Sequence, residues 1–96
     1  MRLAGVGTKT VTTAGTPVAL GSATTRRVAA VVLTAYSSNT GVIWYGTSSV
    51  LASTKTGTPL VAGATNTISL GSGDLDDIYI DSTVNGEGAS YTYYLQ

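Results

Sequence analysis

Five side chains could carry acid, base or metal chemistry, and all crowd one end of the chain. Asp74, Asp76, Asp77, Asp81 and Glu87 fall within DLDDIYIDSTVNGEGASYTYY, which also holds four of the six tyrosines. Calcium needs roughly six to eight oxygens brought together, and the EF-hand loop does this with acidic or amide residues at alternate positions, a mid-loop glycine and a terminal glutamate. Here Leu75 and Ile78 interrupt the order, no glycine follows the aspartates at the required place, and Asp81 belongs to a strand pattern. A glycosidase pair would need two carboxylates facing across about 5 to 9.5 Å, with a cleft between them. A chain of 96 residues with short connections has little room for one. The chain contains no histidine and no cysteine. That removes the usual proton shuttle, the base of a Ser-His-Asp arrangement, the cysteine nucleophile, the thiolate metal site and any disulfide staple. No enzyme activity, metal or cofactor is expected. The aspartates read instead as a turn whose side chains cap free backbone N–H groups ahead of a strand.

Gly5-x-Gly7 is no phosphate loop, because neither a lysine after a further glycine nor a following helix completes it. Residues 1–8 read as a flexible or extended N-terminal arm, and residues 9–96 as one β domain. Five basic and five acidic residues cancel, so no electrostatic field draws the chain to nucleic acid or an anionic membrane, and neither is expected as a partner. Only 10% of residues are charged, against about 25% in an ordinary domain, with serine and threonine in their place. A neutral, hydroxyl-rich surface suits a protein that works inside an assembly. The start MRLAGVG lacks the apolar stretch of a signal peptide, and the longest apolar run, Val28 to Ala35, is far short of the roughly 20 residues of a membrane span.

Abundant Thr, Val, Ile and Tyr with 12 glycines and no phenylalanine favour strands and tight turns. Lys9 to Thr13 and Pro17 to Leu20 read as a first strand pair at an edge. Arg26 to Ser37 is long enough for a central strand, but both its faces are apolar: Val28, Ala30 and Val32 on one, Ala29, Val31 and Leu33 on the other. Gly41 to Thr47 repeats this, with Val42 and Trp44 against Ile43 and Tyr45. Such a pattern means burial on both sides or a face covered by another subunit. The turn Ser38-Asn39-Thr40-Gly41 predicts a hairpin between the two. Ser48 to Thr58 reads as a loop over the sheet edge, and Pro59 to Leu70 as two short strands around Gly63. Asp77 to Ser82 and Ser90 to Gln96 alternate as half-buried strands, joined through Asn85-Gly86, with Tyr91, Tyr93 and Leu95 facing one way and Tyr94 the other. The expected fold is all-β: a small antiparallel β-sandwich or barrel, jelly-roll or Ig-like, of about seven or eight short strands.

Four segments in order, VTTAGTPVAL, SSNTGVIWYG, GTPLVAGATNTISL and DLDDIYIDSTVNGEGASYTYY, resemble a group of small tailed-bacteriophage virion proteins of the capsid-decoration or head-fibre kind. The resemblance runs over most of Thr10 to Tyr94 and includes no catalytic motif. It implies a β-rich module that binds an assembled shell or tail, and does not by itself choose between head and tail. The leading expectation is a decoration protein on the capsid exterior, made in the bacterial host cytoplasm, that binds and stabilises the major capsid protein lattice. Self-association as a trimer or dimer is expected with it. The residues expected at a subunit or capsid interface are Val28, Val32, Trp44, Tyr45 and Tyr94, since aromatic and apolar side chains concentrate at interfaces. The alternative is a tail or fibre module that binds a host-surface glycan through exposed tyrosines.

Overall fold

A computed structural model describes residues 1–21 and 27–96; Arg26, the first residue of the expected long strand, lies outside them. Among the described residues eight strands form: β1 (Arg2–Val11), β2 (Val18–Ala19), β3 (Val28–Ala35), β4 (Ile43–Gly46), β5 (Thr58–Leu60), β6 (Thr65–Gly73), β7 (Tyr79–Ser82) and β8 (Glu87–Leu95). Sheet I has the order β1-β8-β3-β6 and sheet II the order β2-β7-β4-β5. Every pairing is antiparallel. The architecture is a β-sandwich rather than a barrel, and its strand order is that of the eight-stranded jelly roll.

Period-two alternation decides which side chains lie between the sheets. Val11, Val31, Leu33, Ala35 and Ala89 from sheet I meet Ile43, Leu60 and Ile80 from sheet II, and Leu20, Leu75 and Ile78 from the flanking segments complete the cluster. Tyr91, Tyr93, Leu95, Ile68 and Leu70 pack against this cluster from the less buried margins. The Tyr91 and Tyr93 ring centroids are 6.3 Å apart. Burial, and then its neighbour Tyr93, pushes the Tyr91 phenol above its usual range.

Three sequence expectations about pairing are overturned. Lys9 to Thr13 and Pro17 to Leu20 are no strand pair: β1 pairs with β8 and β2 with β7. The Ser38-Asn39-Thr40-Gly41 turn makes no hairpin, because β3 pairs with β6 and β8 while β4 pairs with β5 and β7. Asn85-Gly86 joins strands of different sheets as well. In each case the chain arches from one sheet to the other. A turn sequence specifies that the chain reverses, but which strand it then pairs with depends on partners remote in sequence.

Residues 2–8 form most of β1, the ten-residue edge of sheet I. Gly5 and Gly7 sit opposite Tyr93 and Tyr91 in the β8 register. A β-carbon at Gly5 would lie 2.7 Å from the Tyr93 hydroxyl oxygen, and one at Gly7 would lie 2.5 Å from that of Tyr91. The two glycines therefore leave β1 bare on its inner side so that the tyrosine rings can lie across it. That cover offsets the weakness glycine otherwise brings to a strand.

Candidate functional site

The five carboxylates are dispersed, and each one whose contacts are resolved holds backbone. Asp81 lies on the outer side of sheet II yet is 0% exposed. Its Oδ1 accepts the Gly15 N–H at 2.9 Å and its Oδ2 the Ala52 N–H at 2.8 Å, so it ties the β1–β2 connection and the 3-10 turn Ala52–Thr54 down onto the sheet. The loop from Ser48 to Thr58 thus covers a face of sheet II, with Val50 buried beneath it. Asp77 Oδ2 accepts the Asp74 N–H at 2.9 Å, closing the turn that precedes β7.

Glu87 binds the arch between β3 and β4. Its Oε2 accepts from the Thr40 backbone N–H at 2.6 Å and the Thr40 hydroxyl at 2.9 Å, and its Oε1 from the Gly41 N–H at 2.8 Å. Beside it, the Gly88 carbonyl accepts from Asn39 Nδ2 at 2.9 Å and from the Tyr36 N–H at 3.1 Å. The neighbouring arches are pinned in the same way: Ala14 N–H donates to Asn85 Oδ1 at 2.7 Å, and Val42 N–H to Thr83 Oγ1 at 3.0 Å. Glu87 and the residues beside it thus clamp connections at one end of the sandwich, whereas the Asp74–Asp77 turn follows Gly73 at the opposite end, where Gly73 and Leu95 both register with Val28. Among the described residues no three carboxylates converge into a metal-binding group.

The Thr40 backbone N–H holds the Glu87 carboxyl below its usual value of 4.5, with the Gly41 N–H and Thr40 hydroxyl adding to it and desolvation opposing. A depressed folded pKa gives stability that is present above the unfolded value and is lost as pH falls through the folded one. The expected outcome is that wild-type protein loses denaturant resistance below about pH 4.5, and that Glu87→Gln shows a shallower acid limb over the same range. Urea midpoints measured across the acid range check it; parallel limbs for the two proteins would contradict it.

Two shallow hollows lie on the surface, each of about 340 Å³. One is bordered by Ala14, Gly15, Ser53, Ser82 and Thr83 near the clamp. The other lies on the outer side of sheet I among Val6, Thr8, Val32, Thr34, Ser90 and Thr92. Neither is lined by a carboxylate, an ammonium or a guanidinium. What they offer is hydroxyl and methyl contact.

The second hollow belongs to a broader surface. Across sheet I the register aligns Val6, Thr92, Val32 and Thr67 in one row, and Thr8, Ser90, Thr34 and Thr65 in the next. On the other side of the first row stand Tyr94, Ala30 and Ser69, with Leu3 opposite Tyr94. No residue in these rows carries a charge, and Thr34 and Thr65 hydrogen-bond through their hydroxyls at 2.8 Å. No protein-family model, curated protein or solved structure matches the chain.

Of the five side chains expected at an interface, the structure brings only Val32 and Tyr94 onto this surface. Val28 is 0% exposed and packs inside the core, where no partner can reach it; the bulge between Val28 and Ala30 turns it inward. Tyr45 also points inward, packing on the core, and Asn66 Nδ2 donates to its hydroxyl, linking β4 to β6 across the two sheets. Trp44 is half-buried on the outer side of sheet II, opposite Asp81 and Pro59. Leu3, Val6, Thr8 and Thr34 were not among the expected contact residues. Val6 between Gly5 and Gly7 was the available signal, a valine that alternates with glycines as one face of a strand does.

Proposed function

We propose that this protein is a non-enzymatic virion structural protein that self-associates and binds an assembled capsid as a decoration protein, using the outer face of sheet I. The observation that carries the reading is that face: four strands wide, free of charge, built of hydroxyl and methyl groups, and bordered by Leu3 and Val6, which are 65% and 77% exposed. A surface of this kind contributes contact area without desolvating ions. The resemblance of four segments to small phage virion proteins supplies the partner. The commitment of Asp77, Asp81 and Glu87 to backbone N–H groups leaves these three carboxylates structural work.

The mechanism is mass action. A protein that binds only the assembled lattice stabilises it by an amount that grows with free concentration over dissociation constant, about 2.7 kcal/mol at a hundredfold excess. Val32 lies near the middle of the face with its side chain outward, so Val32→Asp removes nothing from the core and puts an unpaired charge into the contact. Co-sedimentation with undecorated mature shells is expected to weaken at least about tenfold in this variant. Tyr94→Ala is expected to weaken it less, because Tyr94 stands nearer one end of the rows. Wild-type protein that stays monomeric and fails to co-sediment with shells would overturn the reading. So would cryo-electron microscopy of intact particles that located it on the tail alone, the result a glycan-binding fibre module requires.

A further inference from the structure

Asn85-Gly86 carries a chemistry that neither the carboxylate ties nor the outer face of sheet I uses. Asparagine is a thermolabile residue, and before glycine it cyclises most readily, because glycine has no side chain to shield its backbone nitrogen from the asparagine amide. The dipeptide lies in the arch between β7 and β8, with both residues exposed to water. A β-carbon at Gly86 would meet nothing within 4 Å, so no neighbour covers it. Two hydrogen bonds hold the pair: the Gly86 N–H donates to the Val11 carbonyl at 2.8 Å, and Asn85 Oδ1 accepts the Ala14 N–H at 2.7 Å. One engages the nitrogen that would attack and the other the amide that would be attacked. Both partners belong to the end of β1 or the connection just after it.

We propose that Asn85-Gly86 is a spontaneous deamidation site held shut by the β1–β2 connection, so that Asn85 converts to aspartate and isoaspartate at a rate set by the opening of that connection. The Gly86 nitrogen gives up its proton and attacks Asn85 Cγ. The new N–Cγ bond closes a cyclic succinimide, the Cγ–Nδ2 bond breaks, and the amide nitrogen leaves as ammonia with that proton. Water then adds to either ring carbonyl and opens it, giving aspartate by one route and isoaspartate by the other. Solvent water is the only co-reactant. For the ring to close, the Gly86 nitrogen must leave the Val11 carbonyl and the Asn85 amide must turn from Ala14 toward its own backbone, which local opening of the arch permits. The other two asparagines are poorer substrates. Asn39 precedes Thr40 and Asn66 precedes Thr67, where a β-branched side chain crowds the attacking nitrogen. Asn39 is also buried, with its Nδ2 donating to the Gly88 carbonyl. Aspartate at position 85 can still accept from Ala14, with a charged oxygen. Isoaspartate instead lengthens the backbone by one carbon before Gly86, so the two bonds cannot both re-form and the end of β1 loses a tie.

The test follows each asparagine by peptide mass in wild-type protein held at mildly alkaline pH, with and without denaturing guanidinium chloride. In the unfolded chain Asn85 should convert first, and in the folded protein its conversion should be at least about tenfold slower. Ala14→Pro isolates the cause. The Thr16 N–H donates to the Thr13 carbonyl at 3.0 Å, Gly15 has φ +89°, and Ala14 is not among the described non-glycine residues with positive φ. That is a type II turn with Ala14 at the position proline favours. Proline there keeps the turn and removes the N–H that holds Asn85, so folded Ala14→Pro protein should deamidate roughly two- to tenfold faster than folded wild type, the worth of one hydrogen bond. Equal rates with and without denaturant would overturn the inference. So would conversion of Asn39 or Asn66 ahead of Asn85 in the unfolded chain, or a folded Ala14→Pro protein no faster than wild type. The denaturant comparison uses wild-type protein alone and stands even if Ala14→Pro fails to fold.

Discussion

Asp81→Ala is expected to cost about 3 to 5 kcal/mol of folding stability, the largest effect of any single side-chain truncation outside the apolar core. The carboxylate is fully buried, and both its oxygens are occupied by backbone N–H groups from two separate connections, Gly15 and Ala52. Alanine orphans both donors, at about 1 to 3 kcal/mol each when they stay buried, and charge-assisted bonds lie toward the upper end. A chain of this length has roughly 5 to 14 kcal/mol in all, so the variant should unfold at a much lower urea concentration. Asp81→Asn keeps one acceptor and turns an N–H toward the other donor, so an intermediate loss of about 1 to 2 kcal/mol is expected. If Asp81 were a metal ligand, chelator would lower the wild-type midpoint; as a tie between loops it should leave that midpoint unchanged. An Asp81→Ala midpoint within experimental error of wild type would show that the two connections hold without it.

Gly88→Ala is expected to cost about 3 kcal/mol through a different cause, overpacking against backbone. A β-carbon there would run into the Lys9 carbonyl oxygen and lie 2.9 Å from Thr10 Cα. Neither is the end of a flexible side chain, so β1 itself must move. Gly88 cannot retreat, because its carbonyl accepts from Tyr36 and Asn39 on the other side. Gly63→Ala provides the contrast. Gly63 has φ +79° with nothing within 4 Å of a β-carbon, so only the left-handed backbone is penalised, by about 1 kcal/mol. Thermal or urea unfolding of the two variants should rank Gly88→Ala well below Gly63→Ala; the reverse order would mean that β1 yields easily at its β8 contact.

Both residues illustrate what a one-dimensional pattern carries. Strand character and facing were legible, since they follow from the pleat and repeat every two residues: Ile78 and Ile80, Ile68 and Leu70, and Tyr91, Tyr93 and Leu95 were all separable from their neighbours by alternation alone. So was the all-β class, from composition and the spacing of turns. The doubly apolar run at Val28 to Leu33 suggested a covered outer face, and there alternation misled. The bulge after Val28 shifts the phase, sending Val28 into the core and leaving Val32 outside. A bulge depends on how two strands meet, and no residue in the run announces it.

By itself, then, the sequence determined the chemistry that cannot occur through histidine or cysteine, the neutral hydroxyl-rich surface, the strand class and the inward or outward sense of most strand residues. Only the tertiary structure decided that successive strands, β4 and β5 apart, alternate between sheets, that Gly5 and Gly7 lie under tyrosine rings, and that Asp81 and Glu87 are ties between connections. The reason is one of range. Alternation and turn propensity are set by a residue and its immediate neighbours, whereas sheet membership and the use of a carboxylate are set by donors far away along the chain: Gly15 for Asp81, and Thr40 and Gly41 for Glu87. The same difference governs function. The valines and threonines of the outer face were visible as letters, but that they align in uncharged rows is a property of the register of four strands.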